Sequence, residues 1–309
     1  MLAVGSGIVG AGVIVAVVTV HGSGGPGAAG SASAAGSATS TESALAAASA
    51  RPEGSAGPDK SARPRAHADP LGPAASYVST RTGTVLAAVY DVVTGQTWRL
   101  GAGPPQAEAS VVKVDVLETL LAERGNRGLS ASDRALAQQM IEDSDNDAAT
   151  SLWYEVGGAS EIRSFDATVG LTHTTPSSCV VCAGFPWPGW GLTTTVPTDQ
   201  ITLLRQLVTP GPLLTSAERS YALSLMENVT PSQRWGVSGG VPAQVTVALK
   251  NGWLPLDNTD DDWQVNSVGW ISGRGRDYLI AVLTTGNPTE QYGIDTINQL
   301  SAAVWDDMG

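Results

Sequence analysis

Residues that carry chemistry are scarce in this chain of 309 residues: two cysteines, three histidines and three lysines. Two cysteines cannot build a disulfide framework or a four-ligand zinc site. No G-x-G-x-x-G, Walker-type or H-E-x-x-H pattern occurs, so the usual nucleotide and zinc-protease signatures are absent. His173 is the only histidine after residue 75, so a Ser–His–Asp site in the globular part would rest on it alone. Aromatic residues are missing from the first 75 positions altogether. Between His21 and Ala75, 41 of 55 residues are Ala, Gly, Ser or Pro, and Leu45 and Leu71 are the only large apolar side chains. Such a stretch buries too little apolar surface to offset chain entropy. Positive charge is also short: residues 76–309 hold 25 acidic and 13 basic side chains, so the net charge of −12 sits on that part. An acidic domain repels phosphate backbones and anionic lipid heads, which argues against nucleic acid or a polybasic membrane contact.

The first 20 residues lack charge of either sign and are rich in Val, Ile, Ala and Gly. That length fits a membrane span or the apolar core of a secretory signal. Residues 1–22 are therefore expected to be a signal peptide or transmembrane anchor, with cleavage left open. Residues 23–75 are expected to be a disordered linker and residues 76–309 one folded domain, extracytoplasmic, monomeric, and touching a membrane only through the N-terminal segment. Cys179 and Cys182 lie three apart in a Pro- and Gly-rich stretch. An oxidising compartment would allow a local disulfide, and two free thiols are the alternative.

Residues 84–91 alternate and are β-branched, and a Thr94-Gly95 turn leads to residues 97–100, which predicts a hairpin. From Ser110 the spacing of Val111, Val114, Leu117, Leu120 and Leu121 predicts a helix ending near Gly125. Further helices are predicted near 130–142, 146–156, 160–169, 198–208, 216–228 and 288–305. Strands are predicted at 244–249, 264–271 and 278–285. Two strands at the start and three at the end enclose a helical middle, which implies an α+β fold with one antiparallel sheet.

Lysine usage points to chemistry. Of the 13 basic residues after position 75, only Lys113 and Lys250 are lysine. Arginine stays protonated, whereas a buried lysine can lose its proton and serve as a general base. Ser110 precedes Lys113 by three residues, which puts hydroxyl and amine on one helix face. Ser144-Asp145-Asn146 falls between two predicted helices, where a hydroxyl and a carboxamide can reach a cleft; a helix cap is the plainer use. Lys250-Asn251-Gly252 ends the predicted strand 244–249, where the ammonium can meet a carboxylate; a closing turn is the plainer use.

Ser110-x-x-Lys113, Ser144-Asp145-Asn146 and Lys250-Asn251-Gly252 together resemble the S-x-x-K, S-D-N and K-T-G set of class A β-lactamases and related penicillin-recognising serine hydrolases. The resemblance covers nearly all of residues 76–309, including Gly157-Gly158, Thr193–Pro197 and the AVLTTG run at 281–286. It implies a β-lactamase-like fold: a five-stranded antiparallel sheet with helices on both faces plus a helical lobe. It implies an exported serine hydrolase with Ser110 as nucleophile, Lys113 as its base and Ser144 as proton shuttle; the alternatives are a cell-wall D-Ala-D-Ala carboxypeptidase or amidohydrolase, and a non-catalytic module that binds a β-lactam or cell-wall fragment. Asn146, Lys250, Asn251 and Gly252 would bind substrate, a β-lactam or a peptidoglycan-derived fragment, with no metal or organic cofactor. The chain departs from the pattern in three places. The first two motifs are only 34 residues apart, Asn251 stands where the family has Thr or Ser, and residues 171–198 contain no Asp or Glu. The family carries its water-activating Glu in that last segment, where this chain has Cys179-Val180-Val181-Cys182.

Overall fold

The structure is a computed structural model, and it describes residues 68–256 and 262–309. The predicted signal or anchor and most of the predicted linker lie outside the described residues, among which no helix is long and apolar enough to cross a membrane. Eight α-helices and seven strands follow in chain order. Helix α1 is Gly72–Val78, β1 Thr84–Asp91, β2 Thr97–Leu100 and β3 Gln106–Ala107. The helical middle is α2 Val112–Arg124, α3 Ala131–Glu142, α4 Asn146–Glu155 and α5 Gly158–Val169. After β4 Thr194–Thr195 come α6 Pro197–Val208 and α7 Ser216–Glu227. The chain closes with β5 Thr246–Pro255, β6 Trp263–Gly273, β7 Arg276–Asn287 and α8 Glu290–Asp307.

Five strands form one antiparallel sheet in the order β2-β1-β7-β6-β5. Chain-end strands therefore meet in its centre, with Ala87 opposite Val282. Alternate residues of β7 serve two cores because side chains alternate across a strand. Tyr278, Ile280 and Val282 pack with Ile297, Leu300 and Val304 of α8, while Leu279 and Ala281 face the helical lobe. On that second face the sheet offers small residues, Ala88, Ala248 and Ala281, which let the helices approach closely. Helix α2 runs through the middle of the lobe and is buried on all sides from Val112 to Leu121, Lys113, Asp115 and Glu118 included. Each of its fully buried Leu side chains contributes about 1.5–3 kcal/mol relative to exposure.

The structure shifts two expected boundaries. Leu71 is fully buried and Ala74 nearly so, both in the α8-side core, and Pro73 opens α1, so the folded domain starts before residue 76. Strand β5 does not end at Leu249; it pairs with β6 from Thr246 to Pro255, so Lys250, Asn251 and Gly252 lie inside it. A buried Asn and a Gly interrupt the apolar pattern there without interrupting the ladder.

Candidate active site

Ser110 occupies a 3₁₀ turn, Ala109–Val111, that leads directly into α2. Ala109 takes a φ of +52°, a conformation that strains a residue with a Cβ. Such strain costs on the order of 1–3 kcal/mol and must be held by its surroundings. Three contacts hold it. Asn266 Nδ2 donates to the carbonyls of Ala107 at 2.8 Å and Glu108 at 3.0 Å. The Glu108 N–H donates to Thr193 O at 2.8 Å. Gly252 of β5 passes so close that a Cβ there would stand 2.6 Å from Ser110 N and 2.8 Å from Val111 N. Only glycine fits that approach.

Lys113, the second residue of α2 and one turn after Ser110, is 0 % exposed. Its Nζ donates to Ser144 O at 2.5 Å and Asn146 Oδ1 at 2.7 Å, and lies 3.1 Å from Ser144 Oγ. Lys250, also 0 % exposed, reaches the same hydroxyl from the sheet side, with Nζ 2.9 Å from Ser144 Oγ and 3.0 Å from Asn251 O. Two buried amines from opposite layers thus converge on one serine. Ser144 manages this through a φ of +56°, which turns both its carbonyl and its hydroxyl toward Lys113. Asp145 next to it caps α4 by accepting from Ala148 N at 2.7 Å, so the motif serves as helix cap and site at once. Burial pushes the Lys113 amine down to about 6, helped by the Lys250 charge and opposed by the Asp145 carboxylate. Burial alone pushes Lys250 down to about 7.

Asn251 is bonded within the fold. Its amide donates to Gln233 O and Trp235 O, and its Oδ1 accepts from Ser267 Oγ at 2.6 Å. It is 1 % exposed, and these bonds strap the preceding loop to β5 and β6. Gly252 shapes the cleft by having no side chain. Cys179 and Cys182 are joined as a disulfide, and the Gly189 N–H donates to Cys179 O at 2.7 Å, which folds the loop back toward the cleft.

A cleft of about 80 Å³ beside Ser110 is lined by Asn146, Trp187, Trp190, Gly191 and Trp253, and none of its lining residues is charged. The acids closest in sequence to the loop are engaged elsewhere. Glu155 pairs with Arg124, Asp199 accepts from His173 N at 2.6 Å and Thr174 Oγ1 at 3.1 Å, and Glu161 is exposed on α5. Asp166 is buried beside Asp115, with which it interacts directly. Sequence reading missed several groups that shape this region. Trp190 sets its ring 5.1 Å from Lys113 Nζ and anchors its indole N–H on Thr150 Oγ1 at 3.2 Å. Glu108, Asp115 and Glu118 are fully or almost fully buried, and burial pushes all three carboxyls well above the usual range. Near-neighbour acids on a helix read as solvated in a sequence; only the position of lysine, not of these acids, was a signal.

A sequence model of a β-lactamase enzyme family matches residues 123–308. That span takes in Ser144–Asn146 and Lys250–Gly252 and begins after Ser110 and Lys113. The chain is 28% identical over 207 residues to a Mycobacterium tuberculosis protein described as "Putative lipoprotein LppW", with 64% of this chain and 62% of the relative covered. The chain thus spans less than two-thirds of that relative's length. Among solved structures, the fold is similar to a β-lactamase from Chitinophaga pinensis with a TM-score of 0.67 and 18% identity, over 77% of this chain and 99% of that one. It is also similar to a class A β-lactamase from Mycobacterium abscessus, with a TM-score of 0.62 and 23% identity over 77% and 98%.

Proposed function

The chain belongs to the β-lactamase enzyme family, and from that premise we propose that it is an exported serine hydrolase that is acylated at Ser110 by β-lactams or related amides and deacylates slowly. The observation that carries this reading is the convergence on Ser144 of Lys250 and of Lys113, which follows Ser110 by three residues. A lysine held near 6 is a free base at neutral pH, and a free amine beside a serine activates it as a nucleophile. In this reading Ser110 Oγ attacks the carbonyl carbon and its proton passes to Lys113. Ser144, bonded to both amines, relays a proton to the leaving nitrogen, and Asn146 holds Lys113 in place at the cleft wall. Lys250 supplies positive potential at Ser144. The Ser110 N–H and an N–H of β5 near Trp253, brought together by the close approach at Gly252, would stabilise the oxyanion.

Slow deacylation follows from the cleft lining, in which no described residue is acidic. The water that must attack the acyl-ester then has no positioned carboxylate, and losing such a base costs on the order of 10²–10⁴ in rate. The same lining favours, as a second reading, a cell-wall carboxypeptidase or other amidohydrolase that works without that carboxylate. Export rests on the uncharged apolar residues 1–20 and on the likeness to a protein described as a lipoprotein. Intact-protein mass spectrometry after exposure to a penicillin tests the reading: one adduct is expected, absent in Ser110→Ala. An adduct retained in that variant refutes Ser110 as nucleophile.

A further inference from the structure

The cleft beside Ser110 does not stand alone. It shares walls with a second hollow of about 460 Å³, since Phe185, Trp187, Trp253 and Leu254 line both. Trp263 and Leu256 continue the lining outward, and Leu256 is 41% exposed although apolar. Five aromatic rings from three segments, Phe185, Trp187 and Trp190, Trp253, and Trp263, thus line two adjoining hollows, the inner of which holds the nucleophile. Two of them are fixed from outside. The Trp187 indole N–H donates to Asp147 Oδ1 at 3.1 Å, and the Trp253 ring rests 5.8 Å from that of Trp235. Fixed aromatic walls form a preorganised apolar site, which loses little entropy on binding.

Charge is missing from these hollows in a consistent way. None of the described residues lining either hollow is charged. At its rim the charged side chain in contact is an acid, Asp147, and no arginine is among the lining residues. Lys250 is buried, with Nζ committed to Ser144 Oγ and Asn251 O. A carboxylate carried on the acyl half of a substrate would lose hydration there without gaining a cation. A planar apolar ring would find stacking and edge contacts on every side.

We propose that the hollows beside Ser110 lined by Phe185, Trp187, Trp253 and Trp263 form an acyl-group subsite that selects an uncharged aromatic acyl group and rejects an anionic one. This deepens the serine-hydrolase reading and rests on it. In the selected step, Ser110 Oγ forms a bond to the acyl carbonyl carbon and the bond from that carbon to the leaving group breaks. The hydroxyl proton passes to Lys113 and then to the departing group, leaving an aromatic acyl-serine ester.

Three p-nitrophenyl esters test the selection: phenylacetate, acetate and hydrogen succinate, each rate of p-nitrophenol release corrected for its hydroxide-catalysed hydrolysis. An apolar contact of even methylene size commonly discriminates about tenfold or more. The phenylacetyl ester is therefore expected to acylate at least about tenfold faster than the acetyl ester, and the succinyl ester slower than both. Phe185→Ala and Trp263→Ala should shrink the phenylacetyl-to-acetyl ratio toward one. Labelling with a fluorophosphonate, which needs only the nucleophile, runs in parallel on all three proteins. If Ser110 is labelled but the esters show no aromatic preference, or the succinyl ester is fastest, the subsite is overturned and the hydrolase reading stands. If the fluorophosphonate leaves Ser110 unlabelled, both are overturned. Labelled variants that keep the wild-type ratio also overturn the subsite.

Discussion

Replacing Lys113 with Met should abolish acylation and yet change stability in a direction set by pH. The amine is held near 6 in the folded protein against an ordinary value of 10.5, a gap worth about 6 kcal/mol in favour of the neutral form. Between those values the unfolded chain binds a proton that the folded protein does not, so the wild-type protein gains stability as pH rises through this window. At pH 6 or below nearly the whole penalty is present; at pH 9 the remaining gap to 10.5 leaves about 2 kcal/mol. A Met at this position carries no such penalty. It does leave Ser144 O and Asn146 Oδ1 without their donor, at about 1–3 kcal/mol each and independent of pH. The stability of Lys113→Met relative to wild type should therefore fall by about 4 kcal/mol from pH 6 to pH 9, whatever its absolute level. Lys250 titrates in both proteins and cancels largely in the difference. Urea unfolding followed by tryptophan fluorescence at pH 6, 7.5 and 9 reads this directly. Parallel curves for the two proteins, or a difference that grows in favour of Met with pH, would refute a buried neutral lysine.

Four further outcomes are expected. The acylation rate should rise with pH through about 6 as Lys113 becomes a free base and decline above about 7 as Lys250 loses its charge; stopped-flow rates still climbing at pH 9 would contradict the roles of both lysines. Gly252→Ala should lower acylation at least about 100-fold, because the new Cβ meets Ser110 N at 2.6 Å and a displacement near 1 Å commonly costs that much; wild-type rates in a folded variant would exclude the close approach. A chromogenic cephalosporin should give a burst followed by a slow phase, and rapid linear turnover without a burst would show that a base is in reach of the acyl-ester. Without reductant the denatured protein should show no titratable thiol, and Cys179→Ser/Cys182→Ser should cost about 2 kcal/mol at most, since so short a ring restrains the unfolded chain little; two free thiols would refute the pair.

Much of the fold was legible where periodicity and burial agree. Of the hairpin at residues 84–91 and 97–100, β2 at the sheet edge alternates between exposed and buried, whereas β1, between β2 and β7, is buried almost throughout and was legible by its β-branched, apolar run. Helix α1 was hidden because its composition matches the linker before it; what folds it is one leucine, Leu71, reaching the α8-side core. The β3–β4 pair, two residues on each side, is too short for any period to register. The structural bonds of Asn251 were hidden for a different reason. Its residue type and place in a motif suggested contact with substrate, but a side-chain amide satisfies buried backbone carbonyls equally well, and only the loop at Gln233–Trp235 decides which it does. The aromatic hollows were illegible because a tryptophan in sequence reads the same in a core and at a cleft wall.

The basicity of Lys113 is set by what α2 withholds from it. Positions one turn away on a helix are the ones whose side chains meet, and for Lys113 they are Ala109, Ser110, Val116 and Leu117, none of which carries charge. A carboxylate at one of them would pair with the ammonium and hold the amine up. Asp115 and Glu118, the two acids of the buried stretch, come two and five residues after Lys113, which at about 3.6 residues per turn places both on the opposite side of the helix. There Asp115 meets Asp166 of α5, and Glu108, buried ahead of the turn, meets the fields of Asp166 and Asp199. Like charges in a dry interior keep one another protonated, so this acidic side of α2 offers no anion that could stabilise the lysine across the helix. Within reach of the amine only Asp145 opposes deprotonation, and its side chain is exposed and already accepts from the N-terminus of α4. The strongly acidic chain therefore contains a lysine with no buried counter-ion. That arrangement costs stability at neutral pH, and the same missing counter-ion leaves the Lys113 amine able to accept a proton, as the proposed role of base for Ser110 requires.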